Sequence, residues 1–213
     1  MAPQAASGIA WPIGLPLVAI LRGIEPHEAE AHARQLLDAG FDTIEVPTNS
    51  PGWASSVATI AALAGPRALV GAGTVLHARD LDALVAAGGR LAVSPHVDPP
   101  LVADAVGRGL VAMPGALTPS EVMAAWRAGA RIVKLFPAAS LGPTHVRAIK
   151  AALPAELGLV AVGGIDVANL ADYRRAGCVG AGLGSDLYRP CQAPETTGQR
   201  ARAFVDAWQR ARP

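Results

Sequence analysis

The chain has 213 residues, 51% of them apolar and 16% charged, with a formal net charge of +1; this supports one large buried core and excludes a disordered chain. Its charges are scattered, with no basic run and few aromatics between them, so neither nucleic acid nor an anionic membrane surface is expected as a partner. Apolar runs are broken every few residues by Gly, Pro or a charge, and the opening "MAPQAASGIAWPIG" lacks the basic start and long apolar centre of a secretion signal, which points to the cytoplasm.

Residues 1–14 are set apart as an N-terminal extension, and 15–213 as a single domain. The first strand is expected at 17–22. "EPHEAEAHARQLLDAG" then predicts a helix with Pro26 at its first position and Ala29, Ala33, Leu36 and Leu37 along one face. His27 and His32 are expected on its solvent side. Further strands are expected at 43–47, 68–73, 91–95, 110–114, 131–136, 159–163 and 179–184. "TTGQRARAFVDAWQRAR" supplies a closing helix.

The stretches "LLDAGFDTIEV", "LVAAGGRLAV", "AVGRGLVAM", "AWRAGARIVKL" and "YRRAGCVGAG" repeat one pattern, a helical tail, a glycine and an apolar strand. Each glycine is a helix C-cap candidate, because glycine enters the left-handed region without a Cβ penalty. The strands lack polar alternation, as strands covered on both faces do, so a parallel sheet is expected. Eight strands alternating with short helices fit a compact α/β architecture, a (β/α)8 TIM barrel, better than a doubly wound sheet. "GAGLGS" at 180–185 misses the last glycine of a dinucleotide fingerprint, and no phosphate loop of the G-K-[ST] type occurs.

Active sites of such barrels lie at the C-terminal ends of the strands. The polar residues expected there are Arg22, Glu45, Thr74 and Lys134. Lys134 is one of two lysines in a chain with sixteen arginines. The two-residue strand period puts it on one face with Ile132 and Phe136. It is either a lysine reaching from an apolar stem to the barrel rim or a carboxylate's partner, or an amine whose pKa is lowered by burial so that it attacks a carbonyl. Lys150, in "VRAIKAALP", reads as an ordinary solvated lysine. Glu45 is either half of an ion pair with Arg22 or a general base beside Lys134. Gly163, Gly164, Gly184 and Ser185 end strands seven and eight, where a barrel's main-chain N–H groups approach a phosphate.

The five histidines lack metal-ligand spacing, no Gly-x-Ser-x-Gly elbow occurs, and Cys178 and Cys191 are too few for a secreted disulfide framework and are expected as reduced thiols.

"VAILRG" (18–23), "TIEVPTNSP" (43–51), "VGAGTV" (70–75), "VSPH" (93–96), "MPG" (113–115), "VKLFPA" (133–138), "VGGI" (162–165) and "GLGSDLY" (182–188) together resemble the class I 2-keto-3-deoxy-6-phosphosugar acid aldolases. The match spans about residues 15–210. It implies a homotrimeric barrel that acts without metal or cofactor on a phosphorylated keto acid, releasing pyruvate and D-glyceraldehyde 3-phosphate. By the same resemblance Lys134 carries the Schiff base, Glu45 transfers protons, Arg22 and Thr74 line the pyruvate end, and Gly163, Gly164 and Ser185 take the phosphate. Phe136, Val162 and Gly184 complete the expected substrate-binding set. Gluconate-type members carry an arginine four residues after the glutamate and a threonine before the Gly-Gly pair. Asn49 and Val162 stand at those positions here, which points to the galactonate epimer; the alternatives are a gluconate-type or dual-epimer aldolase and, further off, another phosphate-binding barrel isomerase or epimerase or a non-catalytic sugar-phosphate sensor.

Overall fold

The computed structural model of the chain describes residues 11–211. Nine strands form one parallel sheet: β1 Leu17–Ile20, β2 Thr43–Pro47, β3 Leu69–Gly73, β4 Leu91–Val93, β5 Val111–Met113, β6 Gly115–Ala116, β7 Ile132–Leu135, β8 Gly158–Val162 and β9 Gly180–Leu183. Their order around the sheet is β5-β4-β3-β2-β1-β9-β8-β7-β6. The two ends of that order, β5 and β6, are halves of one strand interrupted by Pro114, so the sheet closes into an eight-position barrel. Proline has no N–H to give to a ladder, yet its carbonyl still accepts from Lys134 N at 3.0 Å. The strand expected at 110–114 is therefore found as β5 alone, and the piece beyond Pro114, β6, pairs with β7.

Among the described residues eight α-helices cover the outside: α1 Ala29–Asp38, α2 Trp53–Ala64, α3 Ala78–Ala86, α4 Pro99–Gly107, α5 Pro119–Arg127, α6 Gly142–Lys150, α7 Leu170–Arg175 and α8 Pro194–Arg210. The five recurrent glycines, Gly40, Gly88, Gly109, Gly129 and Gly177, all have positive φ, between 75° and 108°. Each lies just after a helix, as the C-cap expectation requires.

Alternation along the strands divides the core in two. Leu17, Ala19, Ile44, Val133 and Leu159 pack outward against the helices. Val18, Ile20, Leu91, Val93, Ile132 and Val160 fill the barrel itself. Of the N-terminal extension, residues 1–10 lie outside the described residues, while Trp11 and Ile13 pack against the barrel's inner cluster.

Three local expectations are corrected. Helix α1 begins at Ala29 rather than Pro26, with Glu28 at its N-cap and residues 26–28 in a turn. His32 does not face solvent; it is buried, with Nδ1 2.8 Å from the Thr197 hydroxyl of α8, because α1 and α8 pack together at that face. Lys150 is half-buried, and its ammonium donates to the Leu157 carbonyl at 3.0 Å. That desolvation moves its pKa below the usual lysine value.

Glycine is required on the strand side of β3. A Cβ at Gly71 would overlap the Leu91 carbonyl of β4, a backbone group that cannot turn aside. Gly107, at the end of α4, has open space around it. Gly71→Ala is expected to destabilise the fold by at least about 2–3 kcal/mol, since overpacking forces the backbone apart. For a chain of this size that is a fall in melting temperature of roughly 5 °C or more. Gly107→Ala is expected to be neutral or to stabilise by up to about 1 kcal/mol, because alanine is the better helix former. Thermal melts of the two variants beside the parent check both.

Candidate active site

Lys134 stands in the middle of β7 with Ile132 on the same, inward side, while Val133 and Leu135 face the helices. The side chain is 7% exposed. Burial is the largest influence on its ammonium and brings the pKa down to about 8, a shift opposed by the charge of Glu45 and assisted by that of Arg22. The Nζ atom lies 4.9 Å from the centre of the Phe136 ring, which offers a cation some of the attraction that water no longer supplies.

Glu45 occupies the inward face of β2 and is 2% exposed. Burial pushes its carboxyl up to about 7, against the pull of Lys134, Arg22 and the Gly73 backbone. Its Oε2 has no hydrogen-bond partner. Gly73 makes room for it, since a Cβ at that position would run into the carboxylate. The ion pair with Arg22 is not formed. Arg22 instead gives Nη1 to Asn49 Oδ1 at 2.9 Å and Nη2 to Thr74 Oγ1 at 3.5 Å. A polar tether holds the guanidinium at the rim, and the buried carboxylate stays available.

Thr74 has a φ of 56°, in the left-handed region that disfavours a side chain. Such a residue costs of order 1–3 kcal/mol and persists only where its surroundings enforce it. Thr48 does so here: its hydroxyl donates to the Thr74 carbonyl at 2.6 Å and its N–H to the Gly73 carbonyl at 2.8 Å. The strained turn swings the Thr74 hydroxyl toward Arg22.

Gly163 and Gly164 follow β8 with φ of 94° and 73°. The Phe136 ring packs on the first, where a Cβ would come within 3.2 Å of it, and Ala139 lies against the second. Their carbonyls are tied back, Gly163 O to Ala139 N at 3.1 Å and Gly164 O to Asn169 Nδ2 at 2.8 Å. Val162 faces inward over Gly182, whose missing side chain accommodates it.

All ten residues expected from the sequence, Arg22, Glu45, Thr74, Lys134, Phe136, Val162, Gly163, Gly164, Gly184 and Ser185, line one cavity of about 660 Å³ at the C-terminal mouth of the barrel. Pro95, Asp186, Tyr188 and Arg189 also line it and were not among them. Three of those four follow Ser185 in "GSDLYRP", and a charged cluster directly after a barrel strand was the signal available. Arg189 donates Nε to the Ser185 carbonyl at 2.8 Å. Among the described residues no group of His, Cys, Asp and Glu is arranged to hold a metal ion, and no helix is long and apolar enough to cross a membrane. Both cysteines are unpaired, Cys178 buried and Cys191 exposed.

A buried amine and a buried carboxyl that both titrate near neutrality, in a cavity open at one end, suit carbonyl addition with proton transfer. The family model for KDPG and KHG aldolases matches residues 14–197. The chain is 48% identical over 201 residues to 2-dehydro-3-deoxy-6-phosphogalactonate aldolase of Escherichia coli K12, covering 94% of this chain and 98% of that protein. A solved structure described as native KDPGal has a TM-score of 0.93 and 48% identity, covering 94% of this chain and 98% of that one. A designed cube-shaped cage made by fusing symmetric oligomeric domains has a TM-score of 0.91 and 48% identity, covering 92% of this chain and 73% of that one.

The electrostatics lead to a measurable titration. Pulse acylation of the Lys134 amine, read by peptide mass spectrometry against pH, is expected to show a midpoint near 8, well below an ordinary lysine. In Glu45→Gln the midpoint is expected to fall further, because the carboxylate raises the lysine's pKa and the amide carries no charge to do so. A midpoint above 10 in the parent contradicts the buried amine.

Proposed function

The chain belongs to the KDPG and KHG aldolase family, and on that premise we propose that it cleaves 2-dehydro-3-deoxy-6-phospho-D-galactonate to pyruvate and D-glyceraldehyde 3-phosphate. The observation that carries the reading is the inward-facing, desolvated Lys134 with Glu45 buried in the same cavity.

The neutral amine of Lys134 adds to the C2 ketone and loses water to give an iminium, which accepts the electron pair of the C3–C4 bond as it breaks. The carboxylate of Glu45 takes the proton from the C4 hydroxyl, so that the aldehyde can leave. The same group, now protonated, returns a proton to C3 of the enamine. Water then releases pyruvate and restores the amine. A carboxyl poised near 7 suits both halves of this exchange. Arg22 and Thr74 take the substrate carboxylate, and the main chain of Gly163, Gly164 and Ser185 takes the phosphate with Arg189 as its counter-charge. Binding there supplies orientation remote from the bond that breaks.

A homotrimer acting in the cytoplasm completes the proposal. Likeness to a domain used as a symmetric oligomer in a designed cage supports the assembly, and two unpaired thiols suit a reducing compartment.

Borohydride treatment in the presence of pyruvate is expected to add a reduced pyruvyl group to Lys134 in the parent and not in Lys134→Arg, whose guanidinium stays protonated and forms no iminium. Turnover of that variant is expected to be lost. Absence of the adduct in the parent removes the Schiff-base mechanism.

Val162 bears on the epimer. It offers no hydrogen bond, and an unpaired buried hydroxyl costs about 1–3 kcal/mol. The galactonate epimer is accordingly expected to be preferred, or both epimers accepted, with Val162→Thr shifting kcat/KM toward the gluconate epimer by roughly tenfold or more, about 1.4 kcal/mol per decade. Both epimers measured with both proteins check this; a parent that strongly prefers the gluconate epimer overturns the epimer assignment alone.

A further inference from the structure

Behind the cavity wall, where residues 184–193 run from β9 to α8, lies a polar network that the carbon–carbon chemistry does not use. Its hub is the carboxamide of Gln192. Nε2 donates to the Leu187 carbonyl at 3.0 Å and to Thr197 Oγ1 at 2.6 Å. Oε1 accepts from Arg189 N at 3.2 Å and from Arg200 Nη1 at 3.1 Å. Two donor sites and two acceptor sites are all filled, which is the full capacity of an amide. Turning the group over would set its NH2 against two donors and its oxygen against a carbonyl, so one orientation is enforced.

The network is footed in the core. Thr197 is fully buried, and its hydroxyl is 2.8 Å from His32 Nδ1 on α1. The His32 ring meets Tyr188 edge to face at 5.0 Å between centroids, and Tyr188 lines the cavity. At its other end the network reaches Ser185, whose carbonyl accepts from Arg189 Nε at 2.8 Å and from Arg200 Nη1 at 3.5 Å. Between these ends Cys191 holds a φ of 64°, unusual for a residue with a side chain. The loop is thus not at rest by backbone preference and is kept in shape by the bonds its neighbour Gln192 makes.

We propose that Gln192 is the positioning residue for the phosphate end of the cavity: it fixes the main chain at Arg189 and the guanidinium of Arg200, and so sets Ser185 and Arg189 against the substrate's phosphate. Thr197 and His32 are its buried footing. This rests on the assignment of phosphate to that end of the cavity. Gln192 does not itself line the cavity and touches neither Lys134 nor Glu45, so its effect is confined to binding at that end.

Gln192→Ala is expected to raise KM for the phosphorylated keto acid about tenfold while kcat changes less than about threefold, the pattern of lost uniform binding. Thr197→Val, a separate site with an apolar side chain of similar size, is expected to move KM in the same direction by a smaller factor. Inhibition by inorganic phosphate weakens in both. Exchange of the methyl protons of pyruvate, which needs Lys134 and Glu45 but no phosphate, stays near the parent rate and reports that each variant is folded. Unchanged KM in both variants overturns the proposal, as does a rise in KM matched by an equal loss of pyruvate exchange, which would make Gln192 a general support of the barrel. A parent that forms the borohydride adduct on Lys134 but shows no KM effect in either variant sinks the positioning role and leaves the aldolase reading standing. A parent that forms no adduct removes both.

Discussion

The site depends on the removal of water from one ammonium and one carboxylate inside the same barrel. Desolvation acts on the two in opposite directions, lowering the lysine to about 8 and raising the glutamate to about 7. The two groups are thereby brought much closer in their hold on a proton than they are in water. In water the same two groups differ by about six units on their reference values, and the neutral pair would be almost unpopulated. The apolar barrel thereby favours an uncharged amine and a protonated carboxyl, the forms that the proposed chemistry needs. Neither would exist at neutral pH on the surface.

Such a pair is destabilising in itself, since Glu45 keeps an oxygen with no partner and a buried charge is compensated only in part by its neighbour. The rest of the barrel offsets this. Val, Ile, Leu and Met side chains fill its interior, while glycines on β3 and β9 leave space where bulk would block the polar pair or the strands beside it. At Gly73 the space is taken by the Glu45 carboxylate, and at Gly182 by Val162. Packing and catalysis are reconciled by glycine here, residue by residue.

The two ends of the cavity are built differently. At the rim near β1 to β3, side chains do the holding: Asn49 and Thr74 fix Arg22, and Thr48 fixes the strained Thr74. Near β8 and β9 the main chain does it, with the carbonyls of Gly163, Gly164 and Ser185 each tied to a donor on an adjoining segment. A planar carboxylate suits the directed fork of an arginine, whereas a phosphate with several equivalent oxygens suits backbone N–H groups at glycine turns. The division follows the chemistry of the two ends of the proposed substrate.

Local signals in the chain were enough for the repeating helix, glycine and strand unit, because a left-handed cap and an unbroken apolar strand are properties of short segments. β2 falls on the residues expected for it, and all ten expected site residues line one cavity, since residues at strand ends in a closed parallel barrel converge whatever the helices outside are doing. Other features depended on partners distant in the chain. The break of the fifth strand at Pro114 comes from closing the barrel on both sides of it. His32 is buried because α8, 165 residues further on, covers it, and Lys150 is tied down by a carbonyl in the turn before β8. Arg22 belongs to Asn49 and Thr74 rather than to Glu45 for the same reason. The order of residues alone was enough to pick out the candidates for chemistry and the strand that carries each. Which of them lose their water and which find a partner was set by folding, because desolvation and hydrogen bonding depend on groups that the chain brings together only when it has folded.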